Sequence, residues 1–106
     1  MELSANDAIK HKITSFEEYV LIEFECGILT NDMLYSYQAP DPVKFHFSNK
    51  GVIIKGQMPL WFCAYLTHAF HATRFVAIYE PRILSAIVVT SHTKEYKAGE
   101  LIKLTI

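Results

Sequence analysis

The stretch GVIIKGQMPLWFCAYLTHAFHATRFVAIY, Gly51 to Tyr79, decides the fold. Gly51-Val-Ile-Ile-Lys55 is a short β-branched run with a glycine at each end, the pattern of a buried strand. Pro59 suits the first turn of a helix, where its missing N–H has no partner to lose. Leu60 to His71 follows, apolar nearly all round until Thr67. Such a helix lies against a sheet and meets a second surface as well. Phe75-Val-Ala-Ile-Tyr79 is the next buried strand. A strand, helix and strand this closely spaced form a right-handed crossover with parallel strands.

Working outward, Tyr19-Val-Leu-Ile-Glu-Phe-Glu25 is β-branched and aromatic and reads as the first strand, ended by Gly27. Thr30-Asn31-Asp32 offers N-caps for a short helix running to about Tyr37. Pro40 and Pro42 break any helix, so Pro40–Lys50 is mostly loop, with Lys44–Phe47 suited to a short edge strand. Ala86–Thr90 is a further strand, antiparallel because its link from Tyr79 is short. Glu100–Ile106 alternates as a last one. Residues 1–15 show no sustained period and read as an irregular lead-in. The predicted fold class is therefore α/β. It is a small Rossmann-like mixed sheet of about five strands, with one main helix over 60–71 and a short helix near 31–37. One helix cannot cover both faces of such a sheet, which predicts a homodimer.

A chain of 106 residues, 51% apolar and 20% charged, has room for a single domain spanning 1–106. Its net charge is −1, whereas a protein that tracks a long phosphate backbone carries a basic surplus. Long duplexes are disfavoured, while a small, locally gripped anion is not. The charge is uneven: residues 1–50 carry a net −4 and residues 51–106 a net +3. His68, His71 and His92 also lie in the second half. Cys26 and Cys63 are far apart and in apolar contexts, with neither disulfide nor zinc-type spacing. The start is acidic and polar, unlike a signal peptide, and the longest apolar run, Pro59–Leu66, is far below the ~18 residues of a membrane span. A soluble cytoplasmic protein is expected.

In open α/β sheets ligands sit beyond the carboxyl ends of the parallel strands. Here those ends are Lys55-Gly56-Gln57 and Glu80-Pro81-Arg82. The first leads into a helix N-terminus, which attracts anions. His68 and His71 share a helix face. A histidine, a carboxylate and an arginine together can bind a divalent metal, activate water and clamp a phosphate. Read from spacing alone, each histidine suits a core imidazole bonded to a backbone carbonyl, and Glu80–Arg82 a strand-end turn with a surface ion pair. Thr90-Ser-His-Thr-Lys-Glu-Tyr-Lys97 is a polar run after a buried strand. Its hydroxyls, His92, Lys97 and Tyr96 suit phosphate oxygens and base stacking, or a solvated loop.

Three segments together carry a resemblance: Gly51–Trp61, His68–Arg82 and Ala86–Ile102, with His-x8-carboxylate-Pro-Arg followed by Ser-His before Glu-Tyr-Lys. The chain resembles the small CRISPR-associated ring nucleases of type III systems (the Csx-three type). The resemblance implies a homodimeric relative of the CRISPR-associated Rossmann fold. It implies an antiviral-defence phosphodiesterase that binds and cleaves cyclic tetra-adenylate, with manganese, or magnesium, as cofactor. Such proteins are also described as trimming adenylates from RNA 3′ ends. Ligand can lie between two stacked dimers, and a binding-only sponge or sensor is the alternative. By motif, His71, Glu80 and Arg82 match the catalytic set, with His71 and Glu80 the metal ligands. Lys55, Gly56, Ser91 and His92 match ligand-facing positions, and Tyr96 and Lys97 extend them. Five positions depart from the family pattern. Glu80 stands where aspartate is usual, Met58 where glycine is, Leu84-Ser85 where Gly-Gly is, and Arg74 where proline is common.

Overall fold

The computed structural model describes residues 8–104. Six strands form one sheet in sequence order: β1 (Ile9–Ser15), β2 (Tyr19–Cys26), β3 (Gly51–Lys55), β4 (Phe75–Glu80), β5 (Ser85–Ser91) and β6 (Leu101–Lys103). β2, β3 and β4 are parallel, and the outer pairings are antiparallel. Helix α1 (Leu60–Ala69) joins β3 to β4. The mixed α/β class with one main helix is as the sequence predicts, and the bounds of β3 are those read from Gly51 and Lys55.

Several local expectations are corrected. Ile9–Ser15 is a strand rather than an irregular lead-in, while residues 1–7 lie outside the described part. Its alternation is masked by charge: Ile9 is buried and Ile13 half-buried, while Lys10, His11 and Lys12 are exposed on an edge strand. Lys44–Phe47 is not a strand. Asp41, Pro42 and Val43 carbonyls accept from the amides of Phe45, Phe47 and His46, and His46 has a positive φ of 61°. The resulting turns plug the fully buried Phe47 into the core. The short helix is a 3-10 helix over Asn31–Tyr35, α1 stops at Ala69 rather than 71, and the last strand is confined to Leu101–Lys103.

α1 covers one sheet face. Phe62, Leu66 and Phe70, four residues apart, sit against Val20, Ile22, Val52, Ile54 and Val76. Each such side chain contributes roughly 1.5–3 kcal/mol by leaving water. The long β2–β3 link lies on this same side, adding Tyr37 and Phe47 where a second crossover helix would otherwise sit. The opposite face buries Leu21, Ile53, Phe75, Ala77, Ala86 and Val88, with Leu104 and Tyr96 over it. The outer side of α1 is unusual. Leu60 is 90% exposed, and residues 56–73 contain no Asp, Glu, Lys or Arg. No helix among the described residues is long and apolar enough to cross a membrane.

The turn from β4 to β5 keeps a glycine-like backbone without a glycine. Leu84 lies at φ 51° and ψ 38°, in the left-handed region. Its carbonyl accepts from the Leu104 amide, tying β6 to the turn. A branched L-residue there costs about 1–2 kcal/mol, and Leu84 is too exposed to recover it by burial. Leu84→Gly is expected to raise stability by about 1 kcal/mol, after allowing for the extra freedom of glycine in the unfolded chain. A urea midpoint that fails to rise contradicts the strain.

Candidate functional site

The residues singled out in the sequence fall into two groups at opposite edges of the sheet. At the C-terminal edge of the parallel strands stand Lys55, Gly56, Glu80 and Arg82. Lys55 lies level with Glu23 and Tyr79 across three strands. Its ammonium is 3.4 Å from the Glu23 carboxylate and 5.1 Å from the Tyr79 ring centroid. Strand alternation puts Lys55 on the Ile53 face, away from α1, so it does not reinforce the helix N-terminus. Gly56 has φ 147°, and a Cβ there would meet the Phe24 carbonyl oxygen at 2.4 Å. The close backbone approach that demands glycine is therefore to β2.

Glu80 ends β4 and caps the next turn. Its Oε2 accepts from the Arg82 amide at 3.2 Å, and the Arg82 guanidinium donates to both carboxylate oxygens, at 3.1 and 2.7 Å. Hydrogen bonding to the Arg82 side chain, and then to its amide, holds the carboxyl below its ordinary range. The pair is present above the usual carboxylate range and is lost as pH falls through the lowered value.

At the other edge, where α1 ends and β4 begins, stand His71, Ser91 and His92, with His68 beside them. The His68 and His71 rings stack, 5.2 Å apart and 6° from parallel. His71 Nδ1 lies 2.8 Å from the His68 carbonyl, and His92 Nε2 lies 2.7 Å from the His71 carbonyl. Carbonyls only accept, so both ring nitrogens are N–H donors. In the neutral imidazoles the lone pairs are left on His71 Nε2 and His92 Nδ1. Ser91 Oγ is engaged in a local turn with the Thr93 amide and carbonyl. Tyr96 is not a free stacking surface. Its ring packs on Phe75 at 4.4 Å, and its hydroxyl donates to Glu18 at 2.6 Å, which pushes the phenol up to about 12. Lys97 is exposed.

Within one chain the proposed set is thus split. β4 separates His71 from Glu80, and its six residues span about 16 Å. His92 and Ser91 join His71, whereas Lys55 and Gly56 join Glu80 and Arg82. Among the described residues no group of three or more His, Cys, Asp or Glu is placed to hold a metal ion. The partners Glu18, Glu23 and Glu95 were not legible as such. Each acts across the fold on a residue of another element, with no local signal. Arg74, visible in the sequence only as an added cation, is 2.6 Å from Glu95 at the histidine edge.

Two comparisons bear on this arrangement. Residues 23–103, which include both edges, match a family model described as CRISPR-associated protein (Cas_csx3). The chain is also 35% identical, over 88 residues, to an uncharacterised protein of Aquifex aeolicus (strain VF5). That alignment covers 82% of this chain and 79% of the other.

Proposed function

The chain belongs to the CRISPR-associated Csx3 family, and from that premise we propose that it is a ring nuclease assembled from more than one copy. Its substrate is cyclic tetra-adenylate, and cleavage of the ring ends the signal. The observation that supports this reading is the separation of His71 from Glu80–Arg82 by the length of β4. A single chain cannot put both on one phosphate. Two copies stacked end to end bring the histidine edge of one against the Glu80–Arg82 edge of the other. The uncharged outer side of α1, with Leu60 exposed, is available for a two-fold contact between copies.

In this scheme His71 Nε2, left with its lone pair, takes the proton of a ring 2′-hydroxyl as that oxygen attacks the adjacent phosphorus; the P–O5′ bond breaks, and the imidazolium returns the proton to the leaving 5′ oxygen. Arg82 stabilises the charge that develops on the phosphorane, and Glu80 holds the guanidinium in place. The residues of one chain do not fit manganese. His71 and Glu80 lie at opposite edges, and both Glu80 oxygens already accept from Arg82. That same commitment favours a second reading, a binding-only sponge for the same messenger. Incubation with cyclic tetra-adenylate, with and without Mn²⁺, tests both. Cleavage that is lost in His71→Ala and Glu80→Ala, with binding retained, is the expected result. Tight binding without product supports the sponge, and wild-type rates in both variants overturn the residue roles.

A further inference from the structure

The histidine edge contains one strong cation that the scheme above does not use. Arg74 follows the α1–β4 turn, and its carbonyl accepts from the His92 amide at 2.9 Å. His92 in turn donates to the His71 carbonyl, so Arg74, His92 and His71 form one hydrogen-bonded corner. The Arg74 side chain is about three-quarters covered, which limits where its guanidinium can go. Its positive charge bears on the Tyr96 phenol beside it. The closest carboxylate oxygen to the guanidinium is Glu95 Oε1, at 2.6 Å, and among the described residues no aligned side-chain hydrogen bond joins the two.

The two partners differ in how firmly they are held. Glu95 lies in the polar run between β5 and β6, and its side chain is 59% exposed. Its amide donates to Thr93 Oγ1 at 3.3 Å, while its carboxylate has no hydrogen bond to any other side chain among the described residues. An exposed carboxylate without aligned hydrogen bonds is a weak partner for a fork of donors that suits two oxygens at once. A phosphate diester offers two such oxygens and the same charge. The His71 and His92 rings stand at this same edge of the sheet, and their protonated forms are further donors to phosphate.

We propose that Arg74 is a phosphate-gripping residue of the histidine edge, and that Glu95 occupies its guanidinium until a phosphate displaces it. Glu95 is then an internal competitor that sets how tightly the edge binds. The natural phosphate rests on the oligoadenylate reading above, but the exchange itself does not.

The test titrates the whole chain at low ionic strength with inorganic phosphate, adenosine 3′-monophosphate and cyclic tetra-adenylate. The His71 and His92 ring signals are followed by NMR, and folding is checked by thermal melting. Glu95→Gln keeps the shape and removes the charge, and is expected to tighten phosphate binding roughly 3–10-fold. Arg74→Gln is expected to weaken it by a similar factor or more. The double variant should bind like Arg74→Gln alone. Affinity unchanged in Glu95→Gln, or a gain that survives in the double variant, overturns the proposal. So does an absence of phosphate binding in Glu95→Gln. If both simple phosphates follow the expected pattern while cyclic tetra-adenylate does not bind, the messenger reading falls and the exchange at Arg74 stands.

Discussion

Gly56→Ala is expected to destabilise the protein by about 3 kcal/mol or more, through clash and strain acting together. The new Cβ would lie 2.4 Å from the Phe24 carbonyl oxygen, a backbone atom of the neighbouring strand that cannot swing away. The φ of 147° is also one that L-residues rarely adopt. Relief requires β3 and β2 to part where their carboxyl ends begin the crossover. For a domain of this size such a loss lowers the melting temperature by about 12 °C or more. Gly99→Ala is the control. It has φ 98° but nothing within 4 Å of the added Cβ, so only strain remains, about 1 kcal/mol. If the two variants melt together, the close approach to Phe24 is not what requires glycine at 56.

The second large effect concerns assembly. His71→Ala and Glu80→Ala are each expected to abolish ring cleavage, and mixing them is expected to restore it. A site built from His71 of one copy and Glu80 of the next is intact wherever a Glu80→Ala chain supplies the histidine and a His71→Ala chain the carboxylate. With random pairing about a quarter of the sites qualify, so the mixture should reach about a quarter of the wild-type rate. Wild-type activity should also rise more steeply than linearly with protein concentration while copies are largely apart. Complete absence of recovery, at concentrations where the wild type is fully active, rules out a site shared between copies.

The parts of this fold that were legible in the sequence are those whose signal is local. β3 is a β-branched run between glycines, α1 begins at a proline, and β4 is an unbroken apolar strand; the sequence signal for each ends within two residues of its observed bounds. β1 is not legible in the sequence because an edge strand carrying Lys10, His11 and Lys12 hides its Ile9 and Ile13 alternation under charge. Lys44–Phe47 has strand-like composition, but Pro42 and the positive φ at His46 turn it, and Phe47 is spent on the core. The Glu80–Arg82 pair was readable as a strand-end ion pair because its partners are two residues apart. Tyr96 looked available for stacking, yet Phe75 and Glu18 claim it from 21 and 78 positions away in the chain.

By itself, then, the sequence determined the strand–helix–strand unit, the α/β class and the family resemblance, all properties of residue order and spacing. Only the tertiary structure decided which of the marked residues can meet. His71 and Glu80 are nine positions apart, close enough in sequence that only the structure between them decides whether they meet. Here an extended strand lies between them. Extended chain advances about 3.3 Å per residue, and pairing with β3 and β5 keeps β4 from bending back. That separation sends His71 to join His92 and Arg74, and Glu80 to join Arg82 beside Lys55.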